Sequence, residues 1–122
     1  MFDKLKAMGA VAGLLKNQDK IKDAIARVKS KSEATRVTGV AGGGACRVVV
    51  SGAMRVVSVE LTPALVSGMA ADPKTRDLAG MLIAEATNDG LMQAQKKLHE
   101  AIEQEAREMG IPELSAGLRE LV

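Results

Sequence analysis

The sequence predicts an α+β fold, in the order α-β-β-β-α, in which two long helices accompany a small antiparallel three-stranded sheet. Residues 1–30 place apolar side chains at helical spacing, and residues 34–61 hold short valine-rich runs separated by glycines. Residues 72–109 carry a second helical pattern that begins at a proline and ends before a glycine. A chain of 122 residues, of which 47% are hydrophobic, suffices for one domain spanning residues 1–122.

The first helix is predicted to begin after Asp3, which can cap it, and to run to about Ser30. Its apolar seam follows a three-and-four spacing that is typical of a helix packed against another helix. The seam positions are Val11, Leu14, Gln18, Ile21, Ile25 and Val28.

The three predicted strands are residues 35–40, 46–51 and 55–61, joined by Gly42-Gly43-Gly44 and by a turn at Gly52. Consecutive valines in the last two strands place apolar side chains on both faces of the sheet. The chain's own helix can cover one face, and the other then needs a partner. Because so short a sheet is marginal by itself, we predict a homodimer whose interface includes Val48, Val50, Val57 and Val59.

Thr62-Pro63 predicts a single helical turn, and Asp72-Pro73 predicts the start of the long helix that ends at Met109 before Gly110. The heptad pattern along it has one break, at Glu105, and comprises Met81, Ala84, Asn88, Leu91, Gln95, Leu98, Ile102 and Met109. A helix of about 37 residues is roughly 55 Å long, so we expect it to project and to pair with the first helix as an arm. Asn88 would fix the register of that pairing, and residues 111–122 form a separate tail.

The charge distribution is uneven, although the net charge is only +2. Residues 1–55 carry eleven basic and four acidic residues, whereas residues 56–122 carry six basic and eleven acidic ones. A clustered basic surface attracts polyanions, so the first helix and the segment after it are the candidate phosphate-binding site. Its cations are Lys4, Lys6, Lys16, Lys20, Lys22, Arg27, Lys29, Lys31 and Arg36. An ordinary solvated helix face, partly neutralised by Asp19 and Asp23, is the alternative interpretation.

Several classes of function are disfavoured by composition. One Phe is the only aromatic residue, which argues against base stacking. One histidine and one cysteine provide neither a convincing catalytic triad nor a metal site, since His99 with Glu103 supplies only two ligands. We therefore expect no enzyme activity, no cofactor and no metal. Cys46 is read as a buried apolar residue, and the lack of a long apolar segment predicts a cytoplasmic protein.

The central block of the sequence resembles the YbaB/EbfC family of nucleoid-associated proteins. The resemblance covers nearly the whole chain, and its strongest part is the strand-glycine-strand block from residue 37 to residue 63. The matching segments are Val37-Thr38-Gly39, Ala41-Gly42-Gly43-Gly44, Val48-Val49-Val50-Ser51-Gly52, Val56-Val57-Ser58-Val59-Glu60-Leu61-Thr62-Pro63, and Leu82-Ile83 with Ala86, Asn88 and Asp89. The chain departs from the family in its lysine-rich first helix, often rich in Gln and Met elsewhere, and in Gly90, where Ala is usual.

The resemblance implies a homodimer with joined sheets and helices that project like tweezers, which binds double-stranded DNA with low or variable sequence preference. Together with the basic rows, it predicts a non-enzymatic, nucleoid-associated protein that contacts mainly phosphates and prefers sequences, if at all, through DNA shape. A protein-interaction module that uses the helical arms is the alternative. A weaker one is attachment of residues 1–16 to anionic membranes.

Overall fold

The computed structural model describes residues 18–110. Three helices and three strands follow one another along this part of the chain. The elements are α1 (Gln18–Ala34), β1 (Arg36–Ala41), β2 (Cys46–Ser51), β3 (Val56–Leu61), α2 (Pro63–Ala71) and α3 (Pro73–Glu108). The predicted α+β class and the order α-β-β-β-α are confirmed, with α2 as an additional short helix before the last one.

The described residues fall into two compact units. One contains residues 18–31 and 98–110 and is called the helical pair. The other contains residues 32–97 and is called the sheet unit. The projection of the helices as an arm stays a prediction.

The sheet has the order β1-β2-β3, and both strand pairs are antiparallel. Gly42–Gly44 form the turn between β1 and β2, in which the Ala45 N–H bonds to Gly42 O at 3.2 Å, and all three glycines have positive φ angles. This confirms the predicted hairpin turn. Glycines suit it because glycine adopts positive φ without strain. The β2–β3 pairing shifts register between Val49 and Val50, where β3 contains a bulge.

One face of the sheet packs against small residues of α3. Val37, Val48 and Val50 are buried there together with Ala86 and Ala94 of the helix. Two glycines allow this close approach. A Cβ atom at Gly39 would overlap the carbonyl oxygen of Ala86, and one at Gly90 would lie 2.7 Å from Val50 Cγ2. The helix therefore needs small side chains on this face so that its backbone can approach the sheet.

The helical pair has its own apolar core. Ile21 and Val28 of α1 are buried with Ile102 and Ala106 of α3, and Ile102 is fully buried. Ile25, Leu98 and Met109 pack partly buried around these four residues. Six of the predicted seam positions thus meet here as expected, namely Ile21, Ile25, Val28, Leu98, Ile102 and Met109.

The seam predicted for the first part of α3 is wrong. Met81, Ala84, Asn88 and Gln95 are exposed, and Asn88 therefore fixes no register within the described chain. The buried stripe consists instead of Ala79, Ala86, Gly90 and Ala94. A heptad pattern weights large apolar residues, whereas this contact with a sheet selects small ones.

Several boundaries also differ from the prediction. Helix α1 continues to Ala34 rather than ending near Ser30, β1 and β3 each begin one residue later than expected, and α3 ends at Glu108. Helix α2 has nine residues instead of a single turn. It begins as predicted, with Thr62 Oγ1 accepting a hydrogen bond from the Leu65 N–H at 3.3 Å, but then continues until the Asp72 N–H bonds to Gly68 O.

Candidate nucleic-acid interface

The exposed side of α1 carries the predicted cations in two rows. Ile21, Ala24 and Val28 are buried, and this sets the inward direction of the helix. At 100° per residue, Lys20, Arg27 and Lys31 lie on one flank of that seam, and Lys22 and Lys29 lie on the other. All five side chains are exposed. Within each row, positions seven residues apart are separated by roughly 10 Å along the helix axis.

Arg27 is held by an acidic partner from α3. Its Nε donates to both Glu105 carboxylate oxygens at 3.2 and 3.1 Å, and its Nη2 donates to Oε2 at 2.9 Å. The hydrogen bond to Glu105 raises the pKa of Arg27 above its ordinary value. The Arg27 side chain is 55% exposed and that of Glu105 only 15%. Arg27 is thus reachable from solvent but already neutralised.

The break that the sequence showed at Glu105 has its explanation in this pair. A carboxylate in an apolar seam loses much of its solvation, and a cation that bonds to it compensates for this loss. Arg27 is that cation. The helical spacing of each segment places both residues beside the seam, but their contact across two helices is a tertiary feature. Their partnership was missed from the sequence.

Arg36 has a local structural role. Its Nη1 donates to the backbone oxygens of Glu33 at 2.6 Å and of Thr35 at 3.0 Å. The bond to Glu33 partly satisfies one of the carbonyl groups that an α-helix leaves unpaired at its C-terminus. Among the described cations of the predicted site, Lys20, Lys22 and Lys29 have no ion pair within residues 18–110. Lys4, Lys6 and Lys16 lie outside the described residues.

The valines predicted for the dimer interface divide between two environments. Val48 and Val50 are fully buried against the chain's own α3, so their side chains have no surface for a second chain. Val57 and Val59 are 50% and 45% exposed. The pleat of β2 places Val48 and Val50 on the face that α3 covers. Val59 lies directly opposite Val48 and therefore on the same face, but it belongs to the outer strand β3 and stays half exposed. A dimer interface at Val57 and Val59 stays a prediction.

Two side chains of α3 bond to the outer edge of β1, a contact that was not expected from the sequence. Asp89 Oδ2 accepts from the Val40 N–H at 3.1 Å, and Gln93 Nε2 donates to Thr38 O at 3.0 Å. Gln93 Nε2 also donates to Asp89 Oδ2 at 3.1 Å. We call this pair, Asp89 and Gln93, the edge clasp. The one feature of the sequence that could have indicated the edge clasp is a pair of polar residues one helical turn apart, next to the small residues of α3.

The described residues offer little for catalysis or metal binding. No group of three or more His, Cys, Asp or Glu side chains is placed to hold a metal ion among residues 18–110. Cys46 is buried, as predicted, and burial raises the pKa of its thiol. A thiol of this kind is a poor nucleophile, because reactivity requires the thiolate. No helix in the described part of the chain is long and apolar enough to span a bilayer.

The fold and the cationic helix together define a class, small α+β proteins with a basic helix packed on a long C-terminal helix. The family model of the YbaB/EbfC DNA-binding family matches residues 8–109, and the chain belongs to this family. The chain is 31% identical over 85 residues to a nucleoid-associated protein of Pseudomonas fluorescens (strain Pf0-1), covering 70% of this chain and 74% of the relative. A nucleoid-associated protein of Pelotomaculum thermopropionicum is 27% identical over 106 residues, 87% of this chain and 96% of that protein.

The fold is similar to a crystal structure of an uncharacterized protein, HP0035, from Helicobacter pylori. The TM-score is 0.56 at 22% sequence identity, and the match covers 71% of this chain and 83% of the other. At this level of identity the likeness concerns the fold.

Proposed function

We propose that this protein is a nucleoid-associated, non-enzymatic homodimer that binds duplex DNA mainly through its phosphates. The observation that carries the proposal is the pair of outward cationic rows on α1, in a chain that belongs to a DNA-binding family. Lys20, Lys22 and Lys29 supply the contacts, and Arg27 is a further cation whose availability depends on Glu105. Each phosphate contact releases condensed counterions, and this release drives binding without sequence information.

Direct recognition of bases has little support in this helix. Asparagine and glutamine read adenine through two hydrogen bonds, and Gln18 is the one amide side chain in α1. Any sequence preference is therefore expected to arise from DNA shape and deformability.

The test is the salt dependence of binding, measured by fluorescence anisotropy of a labelled duplex at four salt concentrations. The triple variant K20Q/K22Q/K29Q should reduce the slope of log K against log salt by about 2.7 for each chain that contacts the duplex, since each contact contributes about 0.9. A matched control, K74Q/K96Q/K97Q, removes the same charge from exposed lysines that lie outside the proposed site. It should leave most of the slope intact.

Equal loss in the two triple variants would contradict the assignment to α1, and would indicate a response to net charge. No binding at low salt would contradict DNA binding by this protein. The exposed Leu78, Met81 and Met92 on α3 favour the second candidate in that case, a protein-interaction module. Light scattering of the same preparation tests the homodimer separately.

A further inference from the structure

Two neighbouring serines in the last turns of α1 differ in their exposure. Ser30 is exposed, whereas Ser32 is buried, with only 6% of its surface exposed. Nine residues separate Ile21 from Ser30, which places Ser30 about 180° around the helix from that buried side chain. The Ser30 hydroxyl makes no hydrogen bond to another residue within 18–110. It is therefore accessible as a nucleophile, and the Ser32 hydroxyl is not.

Ser30 lies on an outer line of α1 that begins with two carboxylates. Asp19 and Asp23 lie within about 20° of the direction of Ser30 around the helix, and all three side chains are exposed. This line runs between the two cationic rows. It holds no carboxylate after Asp23, because Glu33, the next acidic residue of α1, lies toward the Lys29 flank. The acidic line thus accompanies only the first half of the rows.

Three cations surround Ser30 in the second half of the rows. Arg27 precedes it by three residues, so their Cβ atoms are about 5–6 Å apart, and Lys29 and Lys31 stand on its two sides. At physiological salt the Debye length is about 8 Å, so a charge on Ser30 acts on all three cations. A phosphoserine carries a charge of about −1.5 to −2 at neutral pH, which is enough to offset two of them.

We propose that Ser30 is a phosphorylation site, and that a phosphate on it prevents the second half of α1 from contacting DNA. The proposal rests on the proposed function, because it concerns the regulation of the same cationic rows. A phosphate on Ser30 extends the acidic line of Asp19 and Asp23 along the rest of the helix. It also gives the surrounding cations a bound anion with which every DNA phosphate must compete.

The phosphate donor is a nucleoside triphosphate held by a separate serine kinase. The Ser30 oxygen attacks the γ-phosphorus and forms a new P–O bond, while the bond from the γ-phosphorus to the β–γ bridging oxygen breaks. The nucleoside diphosphate leaves, and a base of the kinase takes the hydroxyl proton. Kinases select their substrates partly by charge, so the cations around Ser30 suit an enzyme with an acidic substrate cleft.

The first experiment compares S30E with S30Q in the full chain, because the two new side chains have the same shape and differ by one charge. DNA binding is measured by anisotropy of a labelled duplex at four salt concentrations. Relative to S30Q, S30E should lower the slope of log K against log salt by about 0.9 for each chain that contacts the duplex. If both variants bind equally at 1 M salt, S30E then has about eightfold lower affinity at 0.1 M salt.

The full chain with phosphoserine installed at position 30 should lose about two contacts. This corresponds to a slope lower by about 1.8 and, with the same reference, to about sixtyfold lower affinity at 0.1 M salt. A negative charge near the end of a helix also opposes the helix dipole, so circular dichroism checks folding. A26E, on the same outer line one turn earlier, should lower the slope as S30E does and tests the mechanism if S30E is unfolded.

The matched control places the same charge on α2, at the exposed Ser67. S67E and S67Q should bind DNA alike. Equal losses in S67E and S30E would overturn the proposal, because they would indicate a response to net charge. Equal binding by folded S30E and S30Q would also overturn it.

The second experiment tests the modification itself. The purified protein is incubated with ATP and a serine kinase that prefers basic sequences, and phosphopeptides are identified by mass spectrometry. Phosphate should appear on Ser30 and not on Ser32, and S30A should remove it. Absence of phosphate from Ser30 would overturn the proposal. A parent chain that binds no DNA at low salt refutes the proposed function instead, so the two failures are distinguishable.

Discussion

Replacing Glu105 by glutamine should strengthen DNA binding. In the folded chain three hydrogen bonds of 2.9 to 3.2 Å commit Arg27 to the Glu105 carboxylate, although the arginine is 55% exposed. A phosphate must compete with this carboxylate for the guanidinium. The amide in E105Q keeps the shape and can still accept a hydrogen bond, but it is neutral, so the competition favours the phosphate.

The magnitude follows from counterion release. For each chain that contacts the duplex, one additional phosphate contact steepens the slope of log K against log salt by about 0.9. If E105Q and the parent chain bind equally at 1 M salt, this slope gives E105Q up to about eightfold higher affinity per added contact at 0.1 M salt. R27Q by itself should lower DNA affinity only a little, because Arg27 is already paired with Glu105. Combined with E105Q, it should cancel the gain in affinity.

The assay is a double-mutant cycle of E105Q and R27Q, with anisotropy titrations at four salt concentrations and circular dichroism to confirm folding. E100Q is the matched control, since Glu100 is an exposed carboxylate on the same helix that makes no hydrogen bond to Arg27. An equal gain in E100Q and E105Q would refute release of Arg27, because it would reflect reduced repulsion in general. Unchanged affinity in E105Q would refute a role for Arg27 at phosphate.

The two glycines of α3 should respond oppositely to alanine in chemical denaturation. G80A should stabilise by about 1 kcal/mol through helix propensity, since its Cβ meets open space, whereas G90A should destabilise by about 1–3 kcal/mol against Val50. I102A should destabilise by about 2–5 kcal/mol in the same assay, because the fully buried side chain leaves a cavity; a loss near zero would contradict that packing. Burial raises the pKa of Cys46 above its ordinary 9.0, so the unfolded chain loses this proton first, and stability should fall as pH rises above that value. Urea titrations of the parent and C46A across this range check the sign, and identical pH profiles would contradict it.

Much of the sheet unit was predictable because its signals are local. The Val-rich run at 46–51 and the three glycines before it specify a strand and a hairpin turn through backbone preferences that need no distant partner. The same holds for the helix starts at Thr62-Pro63 and Asp72-Pro73. Lengths were less predictable, as α2 shows, because a start signal does not contain the position of the stop.

The positions of the basic residues in the candidate site could be predicted from the sequence, but which of them are paired with acidic residues could not. Helical periodicity placed Lys20, Lys22 and Lys29 on the outer side of α1 once the seam at Ile21 and Val28 was recognised. Periodicity has no information about partners on another helix, so it ranked Arg27 with the lysines although Glu105 neutralises it. The seam predicted for the first part of α3 was wrong for a related reason. A pattern of large apolar residues does not show that a helix packed closely on a sheet needs small residues at the contact.

The sequence by itself determined the element types, the turn at Gly42–Gly44, the basic first helix and the family, because each depends on residues close together in the chain. Tertiary structure decided which residues face each other. The contact of Gly39 with α3, the pairing of Arg27 with Glu105 and the edge clasp at β1 each join residues far apart in sequence. Such contacts depend on the distance between two backbones and on what remains exposed after packing, and no single segment encodes either quantity.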